Sequence, residues 1–305
     1  MNLNSKILIF GASGLIGSEI LNLLKSKGYK NLKYPAKARL NLLNYSKTLE
    51  YIKKYKPEIV FNFAALVGGI QANDKKSFDF ISENTLISMN LLYVLKKVKP
   101  KLIIQPSSAC FYPKSNKKIK EKEMLSGEIE KTNLAYAASK INSTISLLSL
   151  NKQYNINVCI PTITNTYGMS DKFFSNGAHV IPDLISKFLI AKKNFSKKVI
   201  LLGNKKTKRE FIFSEDVANA IYFIIKKKYF NKIINVGHEE EISIDTLAKK
   251  IKYLTKYDGD IVYNGKYSGS KRKCLDSSIL LKKLKWKNNF NIDKGLRKIY
   301  KSITK

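Results

Sequence analysis

Four short apolar runs, each bounded by polar residues, mark the first 160 residues of the chain. Their composition is typical of strands that are buried on both faces of a parallel sheet. The runs lie at residues 6–10, 58–65, 102–106 and 157–160. Stretches with helical periodicity separate them, at residues 45–55, 77–97 and 133–153. This alternation predicts an α/β fold, a doubly wound parallel sheet of the Rossmann type, with ligands at the carboxyl ends of the strands.

The first apolar run leads directly into a glycine-rich turn, Gly11-Ala-Ser-Gly-Leu-Ile-Gly17, and a helix extends from there to about residue 27. Glycines in such a turn allow a tight bend and a close approach of the backbone to a ligand. The N-terminus of the following helix presents free N–H groups to a pyrophosphate. Helix packing alone also explains a lone glycine motif. Because a strand precedes this one and a helix follows it, we predict a dinucleotide site.

A second strand, weakly marked, is expected within residues 31–34, and the residues after it bear on the choice of dinucleotide. Sites that prefer NAD place a carboxylate there for the ribose 2′-hydroxyl. This chain has Lys37 and Arg39 instead. Basic side chains favour a 2′-phosphate, so we predict NADP(H). The alternative is that a lysine-rich chain places basic residues there by chance.

A serine, a tyrosine and a lysine follow the third apolar run: Ser108 at its end, and Tyr136 and Lys140 at the start of the next helix. Tyr136 and Lys140 are four residues apart and so share one helix face. We expect the lysine ammonium to lower the pKa of the phenol, which would then exchange a proton with a carbonyl group that Ser108 also contacts. Other Tyr-x-x-x-Lys pairs begin at residues 29, 93, 222 and 267. Only Tyr136 follows a strand that ends in a Ser-Ser pair.

The regular alternation ends near Pro161, and polar loops extend from there to about residue 182. Further helices are expected at residues 183–193, 214–228 and 243–253, and further strands at 199–202 and 232–236. We predict that residues 1–163 and 208–238 form the NADP-binding Rossmann domain. Residues 164–207 and 239–305 then form a smaller, C-terminal, substrate-binding lobe.

The chain is strongly basic, with 56 Lys and Arg against 23 Asp and Glu and a net charge of +33 over 305 residues. Such a charge is compatible with nucleic acid, an anionic membrane or an anionic small substrate. The lysines are spread through helices and loops rather than gathered into one arm, so we interpret most of them as solvated surface. We therefore expect a small anionic substrate and neither a nucleic-acid nor a membrane partner.

The remaining composition argues against metals and disulfides. Cys110, Cys159 and Cys274 are too few and too scattered for a disulfide framework, which indicates a reducing compartment. The two histidines, His179 and His238, have no metal-ligand partner at a suitable spacing, so no metal site is expected. No apolar run has the length of a membrane span, and the N-terminus enters a strand at once. We expect a cytoplasmic protein.

Longer motifs carry a family resemblance. The glycine turn, Ser108, Tyr136 and Lys140 are similar to the extended short-chain dehydrogenase/reductase superfamily. More specific segments resemble the GDP-L-fucose synthases within it, from Gly11 to about Trp286. These segments are residues 66–73, 107–113, 127–133, 165–168, 179–182 and 209–211, with Asp171, Gly269 and residues 272–276.

The resemblance implies an enzyme that epimerises C3 and C5 of a GDP-4-keto-6-deoxy sugar and then reduces its C4 ketone with NADPH. Cys110 matches the base of the family and His179 its acid, for proton removal and return next to the ketone. Tyr136 matches the proton donor of the reduction, and Asn165 matches a group that steadies the enolate oxygen. Cysteine is often only a buried apolar residue, and a histidine before Val-Ile-Pro can equally cap a helix.

The resemblance also implies the two sets of ligand contacts. The cofactor contacts are Gly11, Ser13, Gly14, Leu15, Ile16, Gly17, Lys37, Arg39, Asn41, Leu42, Ala64, Ala65, Tyr136, Lys140, Pro161, Thr164 and His179. The substrate contacts are Asn165, Lys187, Leu202, Arg209 and Arg272. Lys187, Arg209 and Arg272 are placed to hold the diphosphate, with surface solvation as their alternative reading. A homodimer through the helices at 77–97 and 133–153 is expected from the superfamily.

The chain departs from the family pattern on the substrate side. The family usually has arginine at Lys187, tryptophan at Leu202, asparagine at Lys172 and aspartate at Ser268. A related nucleotide-sugar epimerase/reductase, such as one that makes GDP-colitose, is the nearest alternative. An NAD-dependent sugar-nucleotide 4-epimerase or dehydratase would share the serine, tyrosine and lysine. The alternative from a different class is a basic nucleic-acid-binding protein that has kept the nucleotide fold.

Overall fold

The computed structural model describes residues 1–175, 177–265 and 270–304, which alternate between strands and helices. The strands are β1 (Ile7–Phe10), β2 (Leu32–Lys33), β3 (Ile59–Asn62), β4 (Leu102–Ile104), β5 (Ser107–Ser108), β6 (Asn157–Ile163), β7 (Asn165–Tyr167), β8 (Lys198–Leu201), β9 (Lys208–Phe213), β10 (Lys232–Val236), β11 (Glu241–Ser243), β12 (Asp260–Tyr263) and β13 (Arg272–Lys273). The α-helices are α1 (Leu15–Ser26), α2 (Tyr45–Tyr55), α3 (Ile70–Lys75), α4 (Ser77–Val98), α5 (Leu134–Tyr154), α6 (Val180–Lys193), α7 (Ser214–Lys226), α8 (Ile244–Thr255) and α9 (Ile292–Ile303).

The main sheet of the described residues has seven parallel strands in the order β10-β6-β4-β3-β1-β2, with β5 paired to β6. The chain leaves β1 for β2 on one side and returns to β3 on the other, so the strand order reverses at β1. In open α/β sheets, ligands bind in the crevice at such a reversal. The predicted doubly wound parallel sheet is confirmed.

Helices cover both faces of this sheet with apolar side chains. On one face α1 and α7 pack residues such as Leu24 and Ile221 against β1 and β3. On the other face α2, α4 and α5 contribute residues such as Ile52, Leu91 and Leu147. Burying a side chain of this size stabilises the fold by roughly 1.5–3 kcal/mol, so these layers hold the strand ends rigidly in place. None of the helices in the described ranges is both long and apolar enough to cross a membrane.

A second set of strands forms a smaller lobe beside the carboxyl ends of the main sheet. β9 pairs with β7, β11 and β13, while β8 pairs with β12. Phe188, Leu247 and Ile299 belong to a separate apolar core under these strands. The division of the chain into a cofactor domain and a substrate lobe stays a prediction. The predicted boundaries assign β9 to the cofactor domain, but β9 pairs with strands of the smaller lobe.

A buried carboxylate joins the two lobes. Glu210 on β9 is fully buried. Its Oε1 accepts the backbone N–H groups of His238 and Glu239, both at 2.8 Å, and its Oε2 accepts that of Leu275 at 3.0 Å. Three N–H donors satisfy a charge that would otherwise be costly to bury. Glu210 therefore fixes β9 relative to the end of β10 and the segment after β13.

Candidate active site

The glycine turn at the end of β1 leaves room for backbone only. Gly11 has a φ of 72°, and a Cβ atom there would lie 2.6 Å from the backbone nitrogen of Ala64. A Cβ atom on Gly17 would lie 2.1 Å from the carbonyl oxygen of Gly11. Gly14 is the N-cap of α1 and donates its N–H to the same oxygen at 3.0 Å. The turn thus brings the N-terminus of α1, with Ser13, Leu15 and Ile16, to the strand reversal, as an anion site requires.

The other cofactor-side residues fall into two groups. Lys37, Arg39 and Asn41 are exposed in the loop after β2, and Ala64 and Ala65 are half-buried after β3. These five residues can meet a ligand above the strand ends.

The second group is buried. Leu42 is 4% exposed and packs in the core, while its carbonyl oxygen accepts Nδ2 of Asn90 at 3.0 Å. Pro161 lies within β6, opposite Ile234. Thr164 is buried and its Oγ1 donates to the carbonyl oxygen of Glu210. The side chains of Leu42, Pro161 and Thr164 therefore support the crevice from below.

The structure brings the predicted serine, tyrosine and lysine together. Ser108 ends β5, and α5 packs against β5. The Nζ atom of Lys140 lies 5.5 Å from the centroid of the Tyr136 ring. Phe80 of α4 packs edge-on against that ring, with centroids 6.1 Å apart. The phenol is therefore held between two helices at the carboxyl ends of β4, β5 and β6.

The expected lowering of the phenol pKa is wrong for this structure. Burial raises the pKa of Tyr136 above its ordinary value and lowers the pKa of Lys140. Burial is the largest cause of both shifts, because desolvation disfavours the phenolate and the ammonium alike. Tyr136 is therefore a neutral phenol at physiological pH, which is the form that donates a proton.

Cys110 lies on a 3₁₀ helix (Ala109–Phe111) that packs against α5, the helix that carries Tyr136 and Lys140. Its backbone N–H donates to Oγ of Ser108 at 3.4 Å. Burial raises the pKa of its thiol, whereas the ammonium groups of Lys273 and Lys140 stabilise the thiolate. Cys110 in turn belongs to the electrostatic environment of Tyr136. The candidate base and the candidate proton donor therefore lie on elements packed against each other.

His179 lies across the crevice at the N-cap of α6. Its imidazole lies beside Asp171 instead of capping the helix, with Nδ1 3.9 Å from Oδ1, and its side chain is 44% exposed. Partial burial and the neighbouring Lys172 lower the pKa of His179. Burial raises the pKa of Asp171 to about 6, although its Oδ2 accepts the N–H of Gly168 at 3.0 Å.

The loop before His179 is anchored to the segment after β3. The N–H of Gly69 donates to the carbonyl oxygen of Gly177 at 2.9 Å. A Cβ atom on Gly69 would lie 2.8 Å from the carbonyl oxygen of Ala178, so only glycine allows this approach. This contact holds the His179 loop over the crevice. It also explains why the 66–73 motif has a glycine at position 69.

The substrate-side residues are spread over the smaller lobe. Asn165 is exposed on β7, and its Nδ2 donates to the carbonyl oxygen of Glu210 at 2.8 Å. Arg209 is half-buried on β9 next to β7. Lys187 on α6 pairs with Asp183 at 2.8 Å, and Leu202 is 39% exposed just after β8. Asn165 and Arg209 are thus close neighbours at the crevice, whereas Lys187 and Leu202 come from separate elements.

Arg272 is already engaged by protein groups. Its Nε donates to Glu241 at 2.7 Å, its Nη2 lies 2.5 Å from the same carboxylate, and its Nη1 donates to the carbonyl oxygen of Asn116. Its role with a substrate stays a prediction. Few N–H groups of the guanidinium remain to bind one. The family-like positions Ser268 and Gly269 lie outside the described residues.

Two buried charged residues were not assigned from the sequence. Glu130 and Lys273 are both buried, and Nζ of Lys273 lies 3.9 Å from Oε2 of Glu130. Glu130 also accepts hydrogen bonds from Ser270 at 3.0 Å and Thr132 at 3.1 Å. The sequence signal was that each residue lies within a family-like motif, at 127–133 and 272–276.

The parallel sheet, the glycine turn and the Ser/Tyr/Lys set together define a dinucleotide-dependent class of enzyme. Residues 7–237 match the model of the NAD dependent epimerase/dehydratase family, and the chain belongs to that family.

Individual relatives narrow the resemblance. The chain is 34% identical to GDP-L-colitose synthase of Yersinia pseudotuberculosis over 96% of each chain. It is 33% identical to GDP-L-fucose synthase of Sinorhizobium fredii over 98% of this chain and 95% of that one. The solved GDP-mannoheptose C4 reductase of Campylobacter jejuni with NADP bound matches with a TM-score of 0.89 and 29% identity, covering 100% of both chains. The similarity to GDP-L-fucose synthases read from the motifs is confirmed.

Proposed function

We propose that this enzyme converts GDP-4-keto-6-deoxy-D-mannose to GDP-L-fucose. It epimerises the sugar at C3 and C5 and then reduces the C4 ketone with NADPH. The observation that carries the proposal is that the 3₁₀ helix with Cys110 packs against α5, the helix that carries Tyr136 and Lys140. A thiol beside the proton donor is what epimerisation next to the ketone requires.

The cofactor is NADP(H), and the described residues fit it. The close contacts at Gly11 and Gly17 leave the end of β1 open to a pyrophosphate at the N-terminus of α1. Lys37 and Arg39 are exposed where a 2′-phosphate would lie. The C. jejuni relative was solved with NADP bound. When bound, the cofactor supplies the hydride that reduces the ketone.

Cys110, as a thiolate, begins the epimerisation by removing a proton from the carbon next to the ketone. The S–H bond forms as the C–H bond breaks, and the electron pair moves onto the ketone oxygen as an enolate. The phenol of Tyr136 and the hydroxyl of Ser108 donate hydrogen bonds to that oxygen, and Asn165 steadies it further. His179 delivers a proton to the carbon from the opposite face.

Tyr136 then serves the reduction. Its neutral phenol donates a proton to the C4 oxygen, and the phenolate that remains lies close to the Lys140 ammonium. The raised pKa of Tyr136 supports this assignment because an acid must hold its proton until the alkoxide forms. One phenol thus serves the enolate as a hydrogen-bond donor and the alkoxide as an acid.

We assign the diphosphate to Arg209 and Lys187, with Arg272 beside them. Leu202 stands where the family has a tryptophan that contacts the guanine base. A GDP-colitose type of substrate is the second candidate, because the chain is 34% identical to a relative of that name and departs from the fucose pattern at Lys187 and Leu202. The two substrates differ at the sugar and share the ketone chemistry.

We also propose a cytoplasmic homodimer that pairs through α4 and α5. Exposed apolar side chains on these helices support the pairing: Phe78 is 77% exposed, Leu86 51% and Ile145 42%. Burial of these side chains against a second copy removes them from water. A charged substitution such as Leu86→Glu should then yield monomers in light scattering.

A panel experiment tests the function. The protein is incubated with NADPH and 4-keto-6-deoxy sugars carried on GDP, UDP or dTDP, while NADPH oxidation and products are followed. Oxidation only with a GDP-linked ketone, and GDP-L-fucose as product, would support the proposal. NAD that is released only on unfolding, with no net oxidation of NADPH, would instead identify a 4-epimerase or dehydratase.

A further inference from the structure

The strand register of the smaller lobe places two cations and an amide on one sheet face. Lys273 on β13 pairs with Arg209 on β9, and Asn165 on β7 pairs with Phe211, two residues further along β9. Residues that pair across neighbouring strands lie on the same face of a sheet, and so do residues two apart on one strand. Asn165, Arg209 and Lys273 therefore share a face, and Asn165 marks where that face meets the crevice.

Arg272 lies on the opposite face of the same strand. It directly precedes Lys273 on β13, and successive side chains of a strand alternate between the two faces. There the carboxylate of Glu241 accepts its Nε at 2.7 Å. Arg272 is thus directed away from Arg209, although the family resemblance assigned both side chains to the diphosphate.

Lys273 is held close to a fixed carboxylate without a hydrogen bond to it. Among the described residues, Glu130 is the carboxylate that forms an ion pair with Lys273, and Nζ lies 3.9 Å from its Oε2. That distance is longer than a hydrogen bond. The two oxygens of Glu130 accept hydrogen bonds from Thr132 at 3.1 Å and from Ser270 at 3.0 Å. Glu130 therefore fixes the position of the ammonium and leaves its N–H groups for another acceptor.

Arg209 and Lys273 together carry more positive charge than Glu130 neutralises. Lys273 is 8% exposed and Arg209 is half-buried, and burial lowers the pKa of both side chains. The Nη1 of Arg209 donates to the carbonyl oxygen of Lys208 at 2.8 Å, a contact that brings no negative charge. Two neighbouring cations on one sheet face repel each other, so an anionic ligand that touches both would stabilise them.

The cations that the resemblance adds to Arg209 are compensated already. Lys187 pairs with Asp183 at 2.8 Å, one turn earlier on α6, and Arg272 pairs with Glu241. Each would have to give up or share a carboxylate in order to bind a phosphate. Lys273 meets no such competition for its hydrogen bonds from Glu130.

We propose that Lys273 binds the diphosphate of the nucleotide-sugar substrate together with Arg209, and that Glu130 positions its ammonium. This inference rests on the proposed function and adds a substrate contact to it. Asn165, on the same face, is assigned to the ketone of the sugar. The neighbouring cations therefore meet the phosphate that is joined to the sugar, the β-phosphate. An ammonium and a guanidinium side by side can each donate to a different oxygen of that phosphate.

Titration calorimetry with GDP and GMP tests the inference without turnover, because GMP lacks the β-phosphate. Lys273→Met should raise the Kd for GDP about 10–100-fold, the effect of losing a hydrogen bond between charged groups. The Kd for GMP should change less than about threefold, because the ammonium does not reach the α-phosphate. Lys273→Gln provides the same comparison if the methionine variant does not fold.

Two further variants separate this contact from general charge. Lys208→Met removes one positive charge from an exposed residue next to Arg209, on the opposite face of β9, and should bind GDP like the wild type. Lys273→Arg keeps the charge and should recover most of the affinity for GDP. Wild-type affinity for GDP in folded Lys273→Met would overturn the inference. Equal losses for GDP and GMP, or an equal loss in Lys208→Met, would also overturn it.

UDP and dTDP separate this inference from the proposed function. If the wild type binds UDP or dTDP and does not bind GDP, the GDP-linked substrate is wrong. The same comparison of diphosphate with monophosphate in Lys273→Met then still decides whether Lys273 holds the β-phosphate. If the wild type binds none of the three diphosphates more tightly than its monophosphate, the inference is overturned whatever the substrate.

Discussion

The imidazole Nδ1 of His179 lies 3.9 Å from Oδ1 of Asp171, whose other oxygen is fixed by the N–H of Gly168. Only 6% of the Asp171 side chain is exposed. The carboxylate therefore lies beside the Nδ1 edge of the imidazole. A carboxylate in this position orients a proton-delivering histidine.

The Asp171 pair predicts a pH-dependent cost. The pKa of Asp171 is about 6, above the ordinary 3.8. The stability that the protonated side chain contributes is therefore fully present below pH 3.8 and is lost as the pH rises through 6. The buried carboxylate should cost up to about 3 kcal/mol at neutral pH. Asp171→Asn removes that cost. In urea titrations, the unfolding free energy of the variant minus that of the wild type should increase between about pH 4 and pH 8. Parallel pH curves for the two proteins would contradict this.

Removing the phenol should separate the two half-reactions. Tyr136→Phe loses the acid for the C4 oxygen, and NADPH oxidation should fall by about 10²–10⁴-fold. Hydrogen exchange at C3 and C5 should persist at a reduced rate, because Cys110 and His179 remain. Tyr93→Phe is the matched control, since Tyr93 belongs to another Tyr-x-x-x-Lys pair and is 52% exposed on α4. Equal losses in exchange and oxidation for Tyr136→Phe would contradict the separate roles.

Adding a single methyl group to the glycine turn should lower both stability and NADPH binding. In Gly17→Ala the new Cβ meets the carbonyl oxygen of Gly11 at 2.1 Å, and backbone must shift to relieve it. We expect a loss of about 1–3 kcal/mol of stability and at least a tenfold rise in the Kd for NADPH, measured by urea unfolding and fluorescence titration. Gly28→Ala strains a φ of 84° in open space. It should cost about 1 kcal/mol and leave NADPH binding unchanged. Normal NADPH affinity in Gly17→Ala would refute the site.

Cofactor preference should depend on the loop after β2. The double variant Lys37→Ala with Arg39→Ala removes the proposed 2′-phosphate contacts, and the Kd for NADPH should rise about 10–100-fold while that for NADH stays nearly constant. Lys53→Ala with Lys54→Ala removes the same charge from the exposed end of α2 and serves as the control. Calorimetric titration measures both nucleotides. An equal loss for NADPH and NADH would show that general charge, not a 2′-phosphate contact, was removed.

The sequence predicted the sheet because buried parallel strands and amphipathic helices leave strong local patterns. The strands β1, β3, β4 and β10, the helices around them and the Ser/Tyr/Lys set were all located in this way. β6 extends to Ile163, past the expected end at 160, because its later residues pair with β10 beside the crevice.

Properties that depend on distant contacts could not be read from the sequence. Three contacts each join residues more than thirty positions apart: Glu210 with Leu275, Glu241 with Arg272, and Glu130 with Lys273. The pKa of Tyr136 is raised, whereas the sequence predicted that it would be lowered. Helical spacing shows that a lysine is nearby, but it does not show how deeply the phenol is buried. Charge balance in a cavity follows from tertiary packing alone.

The most direct test of the account compares wild type and Cys110→Ser in deuterated water. With GDP-4-keto-6-deoxy-D-mannose and NADPH, the wild type should release GDP-L-fucose carrying deuterium at C3 and C5, read by NMR and mass spectrometry. Cys110→Ser should incorporate almost none, yet still reduce a pre-epimerised ketone with NADPH. Deuterium at both carbons in Cys110→Ser at the wild-type rate would contradict the claim that one pocket holds both the epimerising base and the reducing acid.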